Sequence, residues 1–382
     1  MTLQTGPQLG VYVHWPYCAR ICPYCDFNVY RNRAPDAARW RAALVRDLEY
    51  WRARAGPRKL TSLYFGGGTP SLAPLDIIEG VIDACERLWG FEANAEITLE
   101  ANPTDAERSR FQAFARAGVN RLSLGVQSFD DAALAFLGRD HDGAAARAAT
   151  QTALAAFPRA SVDLIYALPR QSEEDWRAAL RDALKTGVRH LSLYQLTVEP
   201  GTAFEKAVAR GRWRPPDGDL AAALYDIAQE ETAAAGLPAY EISNHAAPGE
   251  ESRHNLLYWR YQDYVGVGPG AHGRLWESGR RLAIENRLRP EDYLGAVERA
   301  GCGAATVEAL DAEAVLMERL STGLRLAEGV ILDAEDLDAL GPRAARLDAL
   351  VHEGLVARAG PRLAATTEGR RLLDALLARI LA

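Results

Sequence analysis

Three cysteines within eight residues are the part of this 382-residue sequence best suited to chemistry. Cys18, Cys22 and Cys25 follow the spacing C-x3-C-x2-C, directly after an apolar run that predicts a strand. Iron–sulfur clusters bind about one thiolate per iron, so three thiolates would leave one iron of a four-iron cluster open to a small molecule. A structural zinc ion would need a fourth ligand, for which His14 is the nearby candidate. The cluster of thiols therefore favours a metal centre over a disulfide framework.

Polar residues recur at the ends of the strands predicted next. Residues 66–70, Gly-Gly-Gly-Thr-Pro, end the second strand, and glycines there would let backbone N–H groups approach a charged ligand. Glu100 ends the third strand, Gln127 follows the fourth, Arg139 lies twelve residues further on, and Asp163 lies on the fifth. Because the carboxyl ends of barrel strands converge on one mouth, we expect these groups to form one ligand site.

Strand-like and helical patterns alternate through the first two thirds of the chain. Strands are predicted at 10–14, 61–65, 95–101, 121–124, 161–166 and 190–196. Helices are predicted between them at 36–54, 74–89, 105–117, 143–156 and 173–186. Such alternation predicts an α/β fold with a parallel sheet, either an incomplete six-unit barrel or a doubly wound sheet.

The alternation of strand-like and helical patterns ends at about residue 200. A Pro/Gly-rich stretch at 211–218 precedes a predicted helix at 219–235, and the aromatic-rich residues 254–264 do not resemble another β-α unit. From about residue 307 the chain becomes helical and charged. Its end resembles a small winged-helix module, with a helix at 343–353, a strand–turn–strand signal at 355–363 and a helix at 367–381.

Composition limits the classes of function. Hydrophobic residues make up 48% and charged residues 25%, as in ordinary globular proteins. The net charge of −7 makes an extended nucleic-acid footprint improbable. No apolar run approaches the ~18 to 20 residues of a membrane span, which leaves only peripheral membrane contact open. Residues 1–9 lack the pattern of a secretory signal, so we expect a cytoplasmic location.

The cysteine loop after the first strand of a repeated β-α chain resembles the signature of the radical S-adenosylmethionine (SAM) superfamily. In that superfamily three cysteines hold a [4Fe-4S] cluster, SAM chelates the fourth iron, and an electron from a donor cleaves SAM to a 5'-deoxyadenosyl radical. The resemblance implies that Cys18, Cys22 and Cys25 are the cluster ligands. It also implies a set of SAM contacts, namely Tyr12, Gly67, Gly68, Thr69, Glu100, Gln127, Arg139 and Asp163.

The side chains in this set suit the groups of SAM. Glu100 suits the amino group, Gln127 and Asp163 suit ribose hydroxyls, and Arg139 offers a fork to the carboxylate. Cys85 lies on an apolar helical face and Cys302 lies between glycines, so we expect both to be structural or incidental. The resemblance assigns no catalytic side chain.

Two families of the HemN-like branch share this barrel: oxygen-independent coproporphyrinogen III dehydrogenases and the HemW haem chaperones. The chain resembles both along essentially its whole length, which implies a core at 1–236, a connecting segment at 237–306 and a C-terminal HemN-type domain at 307–382. Phe27 stands where the dehydrogenases have a further cysteine. The cluster loop also begins only eighteen residues from the start, without room for the dehydrogenase's N-terminal extension.

Residues 254–259, His-Asn-Leu-Leu-Tyr-Trp, resemble the HNxxYW motif of HemW. The resemblance therefore implies a haem chaperone that carries a [4Fe-4S] cluster and SAM and transfers haem to an acceptor protein. His254 is the first candidate haem ligand, since a neutral imidazole can ligate haem iron, and His272 is a weaker one. Alternatively, His254 and Asn255 cap a helix whose aromatic residues join the core. The alternative function is radical decarboxylation of coproporphyrinogen III.

Overall fold

The structure, a computed structural model, describes residues 8–31, 34–105 and 108–381. Expectations for residues 1–7, the start of the predicted helix at 105–117 and residue 382 lie wholly or partly outside this range. The strands are β1 Leu9–Trp15, β2 Tyr17–Cys18, β3 Tyr30–Arg31, β4 Leu60–Gly67, β5 Phe91–Ala101, β6 Arg121–Gln127, β7 Arg159–Tyr166, β8 His190–Gln195, β9 Asn244–Ala246, β10 Asp263–Val267, β11 His272–Glu277, β12 Arg280–Asn286, β13 Ala304–Leu310, β14 Val330–Ile331, β15 Val356–Ala359 and β16 Arg362–Ala365.

The helices surround and extend this framework. They are α1 Ala37–Ala55, α2 Leu75–Leu88, α3 Arg108–Arg116, α4 Asp131–Phe136, α5 Gly143–Ala156, α6 Glu173–Lys185, α7 Ala203–Ala209, α8 Gly218–Ala234, α9 Arg253–Trp259, α10 Pro290–Ala300, α11 Ala312–Gly323, α12 Ala334–Ala339, α13 Arg343–His352, α14 Thr367–Arg371 and α15 Leu373–Leu381. No helix in the described ranges is long and apolar enough to span a bilayer.

The main sheet has eleven strands in the order β13-β12-β11-β10-β1-β4-β5-β6-β7-β8-β9. The six predicted strands are adjacent and parallel, and the first five are each followed by the predicted helix, which confirms the incomplete six-unit barrel. The two edges of the sheet do not pair with each other, so the barrel stays open.

Successive side chains of β1 point to opposite faces of the sheet, so one strand contributes both to the core and to the barrel interior. Leu9, Val11 and Val13 are at most 2% exposed and belong to the same buried cluster as Trp40 and Leu44 of α1. The intervening side chains therefore point to the opposite face, because successive strand residues alternate. This leaves one face of the sheet free to carry polar groups.

The segment at 237–306 contributes more to the sheet than the sequence indicated. Its strand β10 pairs parallel with β1, and β11, β12 and β13 extend the sheet in antiparallel order. Strand β13 also crosses the predicted start of the helical region at residue 307, so that part of the expectation was wrong. The central residues of β13 are exposed, and its alanine-rich sequence carries little strand signal.

The C-terminal residues form a separate buried cluster around a three-stranded sheet of order β14-β16-β15. Helix α13, strands β15 and β16 and the final helices appear in the predicted order, confirming the winged-helix-like module. The predicted last helix is divided at Leu372 into α14 and α15.

Candidate metal and cofactor site

The three cysteines lie on the loop that leaves the carboxyl end of β1. Cys18 ends β2 and is nearly buried, whereas Cys22 and Cys25 are partly exposed. The N–H of Cys25 donates to the carbonyl of Cys22 at 3.2 Å, so this end of the loop turns back on itself. Burial raises the pKa of the Cys25 thiol to about 11 and raises that of Cys18. Within the described ranges, no three His, Cys, Asp or Glu side chains converge closely enough for a single metal ion.

Two side chains from other loops contact the cysteine sulfurs. The hydroxyl of Thr69 donates to Cys18 Sγ at 3.5 Å, and Arg139 Nη1 donates to Cys22 Sγ at 3.2 Å. Asn102 joins the two contacts, because its Nδ2 donates to Thr69 Oγ1 at 3.1 Å and its Oδ1 accepts from Arg139 Nη2. The structure thus brings both predicted residues to the cysteine loop through an asparagine that the sequence reasoning did not select.

The glycine-rich loop is packed tightly against the cysteine loop. A Cβ on Gly67, whose φ is +106°, would lie 2.6 Å from the His14 ring, and a Cβ on Gly68 would lie 2.7 Å from the Tyr17 carbonyl. The N–H of Gly68 donates to the carbonyl of Trp15 at 2.7 Å. These glycines are therefore required by the close approach of two loops, and the N–H of Gly68 is used within the protein rather than aimed at a ligand.

Glu100 is held beside the glycine-rich loop. Its Oε1 accepts from the Tyr64 hydroxyl at 2.8 Å and its Oε2 accepts from the N–H of Gly67 at 3.1 Å. Burial, aided by the nearby charge of Asp163, raises the pKa of Glu100 to about 7, and the two donors partly oppose this shift. The ionised form of this carboxyl can accept from, and pair with, an amino group, and a nearby cation would favour that form.

Asp163 is deeper in the barrel. Both of its oxygens accept from Ser123 Oγ, at 3.3 and 3.2 Å. Burial raises its pKa to about 6, while hydrogen bonds from Ser192 and Ser123 lower it. Gln127 ends the neighbouring strand β6 with a positive φ of 67°.

Tyr12 and His14, both on β1, are joined by a hydrogen bond between their side chains. The His14 Nε2 donates to the carbonyl of Asn28 at 3.0 Å, so its Nδ1 is the acceptor for the Tyr12 hydroxyl at 3.1 Å. Burial lowers the pKa of His14. Both ring nitrogens are occupied, and His14 therefore does not supply the fourth ligand that the zinc alternative needs.

The predicted fork of Arg139 is also largely used within the protein. Besides Cys22 and Asn102, its nitrogens donate to the carbonyl of Gly125 at 3.0 Å and to the hydroxyl of Tyr24 at 3.5 Å. Only Nε is buried without a partner. Arg139 is thus a cation held against Cys22, and its contact with the carboxylate of SAM stays a prediction.

His254 lies at the opposite end of the barrel from the cysteines. It is 1% exposed, its Nδ1 is 2.8 Å from Ser62 Oγ, and its Nε2 is 2.9 Å from the Tyr258 hydroxyl. Burial lowers its pKa to about 3. Helix α9 therefore closes the amino-terminal end of β1 and β4, where a Cβ on Gly10 would meet the His254 ring at 3.5 Å. In this conformation neither ring nitrogen is available to a haem iron.

The closing helix nevertheless contacts the cofactor region. The His254 ring stacks on Tyr64 with ring centroids 4.9 Å apart, and Tyr64 holds Glu100 as described above. Tyr64 was not among the predicted residues. The alternation of strand residues could have identified it, because Tyr64 shares the interior face of β4 with Ser62, and Gly66 follows in the same register.

Comparison with known proteins agrees with this arrangement. Residues 12–183 match the sequence profile of the radical SAM superfamily. The chain is 36% identical over 388 residues to heme chaperone HemW of Mycobacterium tuberculosis, covering 98% of this chain and 95% of that protein. It is 42% identical over 329 residues to radical S-adenosyl methionine domain-containing protein 1, mitochondrial, of Bos taurus, covering 84% and 74%. The coproporphyrinogen III oxidase HemN of Escherichia coli has the same fold, with a TM-score of 0.82 and 21% identity over 98% of this chain and 90% of that one.

The barrel, the cysteine loop and the profile match define a radical SAM protein. Within that class, the chain belongs to the HemW family. Membership of the superfamily implies a [4Fe-4S] cluster and SAM. The residues fit both groups: three thiols share one loop, a cation touches one of them, and the unpartnered Nε of Arg139 is buried beside it.

Proposed function

We propose that this protein binds haem and transfers it to an acceptor protein, and that it carries a [4Fe-4S] cluster and SAM. The observation that carries the proposal is the similarity along 98% of the chain to a relative named heme chaperone. The cysteine loop supports the proposal further. The similar loop of the coproporphyrinogen III dehydrogenases contains an extra cysteine, and Phe27 occupies its place here.

In this proposal Cys18, Cys22 and Cys25 bind three irons of the cluster, and the fourth iron binds SAM. The bound cluster supplies the electron that reductive SAM chemistry requires. The chain's own residues orient these groups: Arg139 balances negative charge at Cys22, and Thr69 fixes the Cys18 sulfur.

The remaining SAM contacts are proposed for the residues that line the same mouth. Glu100 accepts from the amino group of SAM, and this cation would offset the burial that raises the pKa of the carboxyl to about 7. Gln127 and Asp163 bind the ribose hydroxyls, with Tyr12, Gly67 and Gly68 shaping the pocket. Bound next to Glu100, the ligand's ammonium would lower the pKa of that carboxyl again.

In this conformation His254 is proposed to influence haem binding indirectly, by its packing inside the barrel, and not to bond to the haem iron. Its ligation of haem would require α9 to leave the barrel and would break the contacts with Ser62 and Tyr258. Haem transfer also needs an acceptor protein, and reduction of the cluster needs an electron donor. We propose that the protein acts in the cytoplasm.

The proposal is tested on anaerobically reconstituted protein in two assays. The first follows the Soret band during titration with hemin and is expected to give saturable binding. The second supplies SAM, reductant and coproporphyrinogen III and follows porphyrinogen products together with 5'-deoxyadenosine. We expect no decarboxylated product from protein with a full cluster. Product formed in amounts matching 5'-deoxyadenosine, or an absence of haem binding, would overturn the proposal.

A further inference from the structure

We propose that haem docks on the outer rim of the cluster mouth, against Phe27 and Leu288, with its propionates on Arg287 and Arg289 and its iron on His272. This inference rests on the proposed haem function and names the site where that function takes place. The five residues are called the rim site below.

Two large apolar side chains are exposed at this rim. Phe27 is 63% exposed and Leu288 is 62% exposed, the highest values among the large hydrophobic residues of the described chain. Isolated exposed apolar residues are common, but two that belong to neighbouring loops form a surface suited to a flat apolar ligand. A porphyrin face is such a ligand.

Hydrogen bonds of Asn28 hold the two loops together. Its Nδ2 donates to the carbonyl of Leu288 at 2.8 Å and to that of Pro269 at 2.9 Å. Tyr30 adds a hydroxyl contact of 3.3 Å to the same Leu288 carbonyl. The residue after Phe27 is thus bonded directly to Leu288, so the two exposed side chains arise from adjoining backbone.

The charges at the rim complement a porphyrin. Arg287 and Arg289 flank Leu288 and are exposed, and neither has an ion pair or a side-chain hydrogen bond within the described ranges. Other arginines of this chain, such as Arg39 and Arg54, are instead paired with carboxylates. Two free guanidinium groups beside an apolar surface match the two propionates of haem, since arginine binds carboxylates through paired donors.

His272 is the accessible histidine of this region. Its side chain is 55% exposed, and its Nδ1 lies 4.0 Å from Glu285, which leaves Nε2 without a partner in the described structure. The backbone N–H of Gly270, two residues earlier, donates to the carbonyl of Arg287 at 3.0 Å, so the histidine loop adjoins the arginine loop. A carboxylate near one ring nitrogen orients the imidazole for ligation through the other.

The rim site also adjoins the proposed SAM pocket. The charge of His272 contributes to the lowered pKa of His14, and the His14 ring fits against Gly67. Haem on this rim would therefore lie beside the mouth that holds the cluster, and on the opposite side of the barrel from His254.

The test is a hemin titration of reconstituted full-length protein, comparing variants by Soret absorbance. Phe27→Ser with Leu288→Ser should weaken binding at least tenfold, and Arg287→Gln with Arg289→Gln should weaken it several-fold and reduce its dependence on salt. His272→Ala should remove the histidine signature from the electron paramagnetic resonance and resonance Raman spectra, whereas His254→Ala should keep it. Matched controls are Leu372→Ser, at an exposed apolar residue of the C-terminal module, and Arg280→Gln, at an exposed arginine.

The outcomes separate the site from the function. Wild-type protein that binds no haem would overturn the proposed function. Wild-type protein that binds haem while the rim variants bind as tightly as the controls would overturn the rim site alone. Loss of the histidine signature in His254→Ala, with its retention in His272→Ala, would likewise overturn the rim site and assign the iron to α9.

Discussion

The imidazole of His254 stacks on the phenol ring of Tyr64, with ring centroids 4.9 Å apart and planes inclined by 22°. Because Tyr64 donates to Glu100 and Glu100 accepts from the N–H of Gly67, an unbroken series of contacts runs from α9 to the glycine-rich loop. A motif associated with haem binding is therefore in contact with the proposed SAM pocket.

Tyr64→Phe should weaken SAM binding about tenfold while the cluster assembles normally. The substitution keeps the ring that His254 stacks on but removes the donor to Glu100. Losing a hydrogen bond to a charged group costs about 1.5 to 3 kcal/mol, which corresponds to about tenfold or more in affinity. Equilibrium dialysis of SAM against reconstituted protein measures the effect.

The matched control for this prediction is Tyr258→Phe, which removes the hydroxyl contact on the far side of His254. We expect it to affect SAM binding much less, since the Tyr258 hydroxyl bonds to His254 and, within the described residues, makes no hydrogen bond to Glu100. Equal affinities for wild type and Tyr64→Phe would show that Glu100 does not depend on this donor.

Cys22→Ala should abolish the [4Fe-4S] cluster. Removing one of three thiols leaves two irons without a protein ligand, and clusters require thiolate ligation. Iron and sulfide content, together with absorbance of the reconstituted protein, check the outcome. Cys85→Ala is the matched control, because Cys85 is buried in the core with 0% exposure and lies on α2 rather than on the cysteine loop. A complete cluster in Cys22→Ala would contradict the assignment.

The incomplete six-unit barrel was predicted well because its strands and helices are strongly patterned. The buried strands β1 and β4 and the amphipathic helix α2 carry signals that depend only on neighbouring residues. Strand β13 was missed because its exposed, alanine-rich sequence carries little strand signal. Pairing of β10 with β1 joins residues more than 250 positions apart, which local patterns do not report.

The sequence predicted that the site residues lie close together. It could not predict which side chains form hydrogen bonds with each other. The sequence shows that Asn102 follows the third strand and that Arg139 lies twelve residues beyond Gln127, yet only the fold shows that they bond to each other. Local patterns likewise do not show that one nitrogen of Arg139 donates to Cys22, and the contact of Arg139 with SAM stays a prediction. His254 was predicted as the first candidate haem ligand, with a helix whose aromatic residues join the core as the alternative, and its burial depends on the long-range packing of α9 against β4.

Arg139→Gln should lower the midpoint potential of the cluster. Arg139 places a positive charge 3.2 Å from Cys22 Sγ, and such a charge favours the reduced, more negative cluster. Removing it should shift the potential by on the order of tens of millivolts, as expected for a partly screened charge near the cluster. A redox titration followed by electron paramagnetic resonance measures the shift. Arg20→Gln, at an exposed arginine near the same opening, is the control, and an equal shift in both variants would contradict a specific role for Arg139.

Asp47→Asn should flatten the dependence of stability on pH. Burial raises the pKa of Asp47 from its ordinary value near 4 to about 7, although Tyr293 and the N–H of Gly303 donate to its oxygens at 2.7 and 3.2 Å. Between about pH 4 and pH 7 the folded protein holds a proton that the unfolded chain has released, so the free energy of unfolding falls as the pH rises through this window.

At about 1.4 kcal/mol per pKa unit, the loss attributable to Asp47 has an upper bound of about 4 kcal/mol. An asparagine cannot ionise, so the variant should lose less thermal stability than wild type between pH 5 and pH 8. Differential scanning calorimetry of the cluster-free chain at both values measures this, with Asp83→Asn, at an exposed position of α2, as the control. If Asp47→Asn and wild type lose the same stability over this interval, the buried carboxyl is already ionised at pH 5 and its raised pKa is refuted.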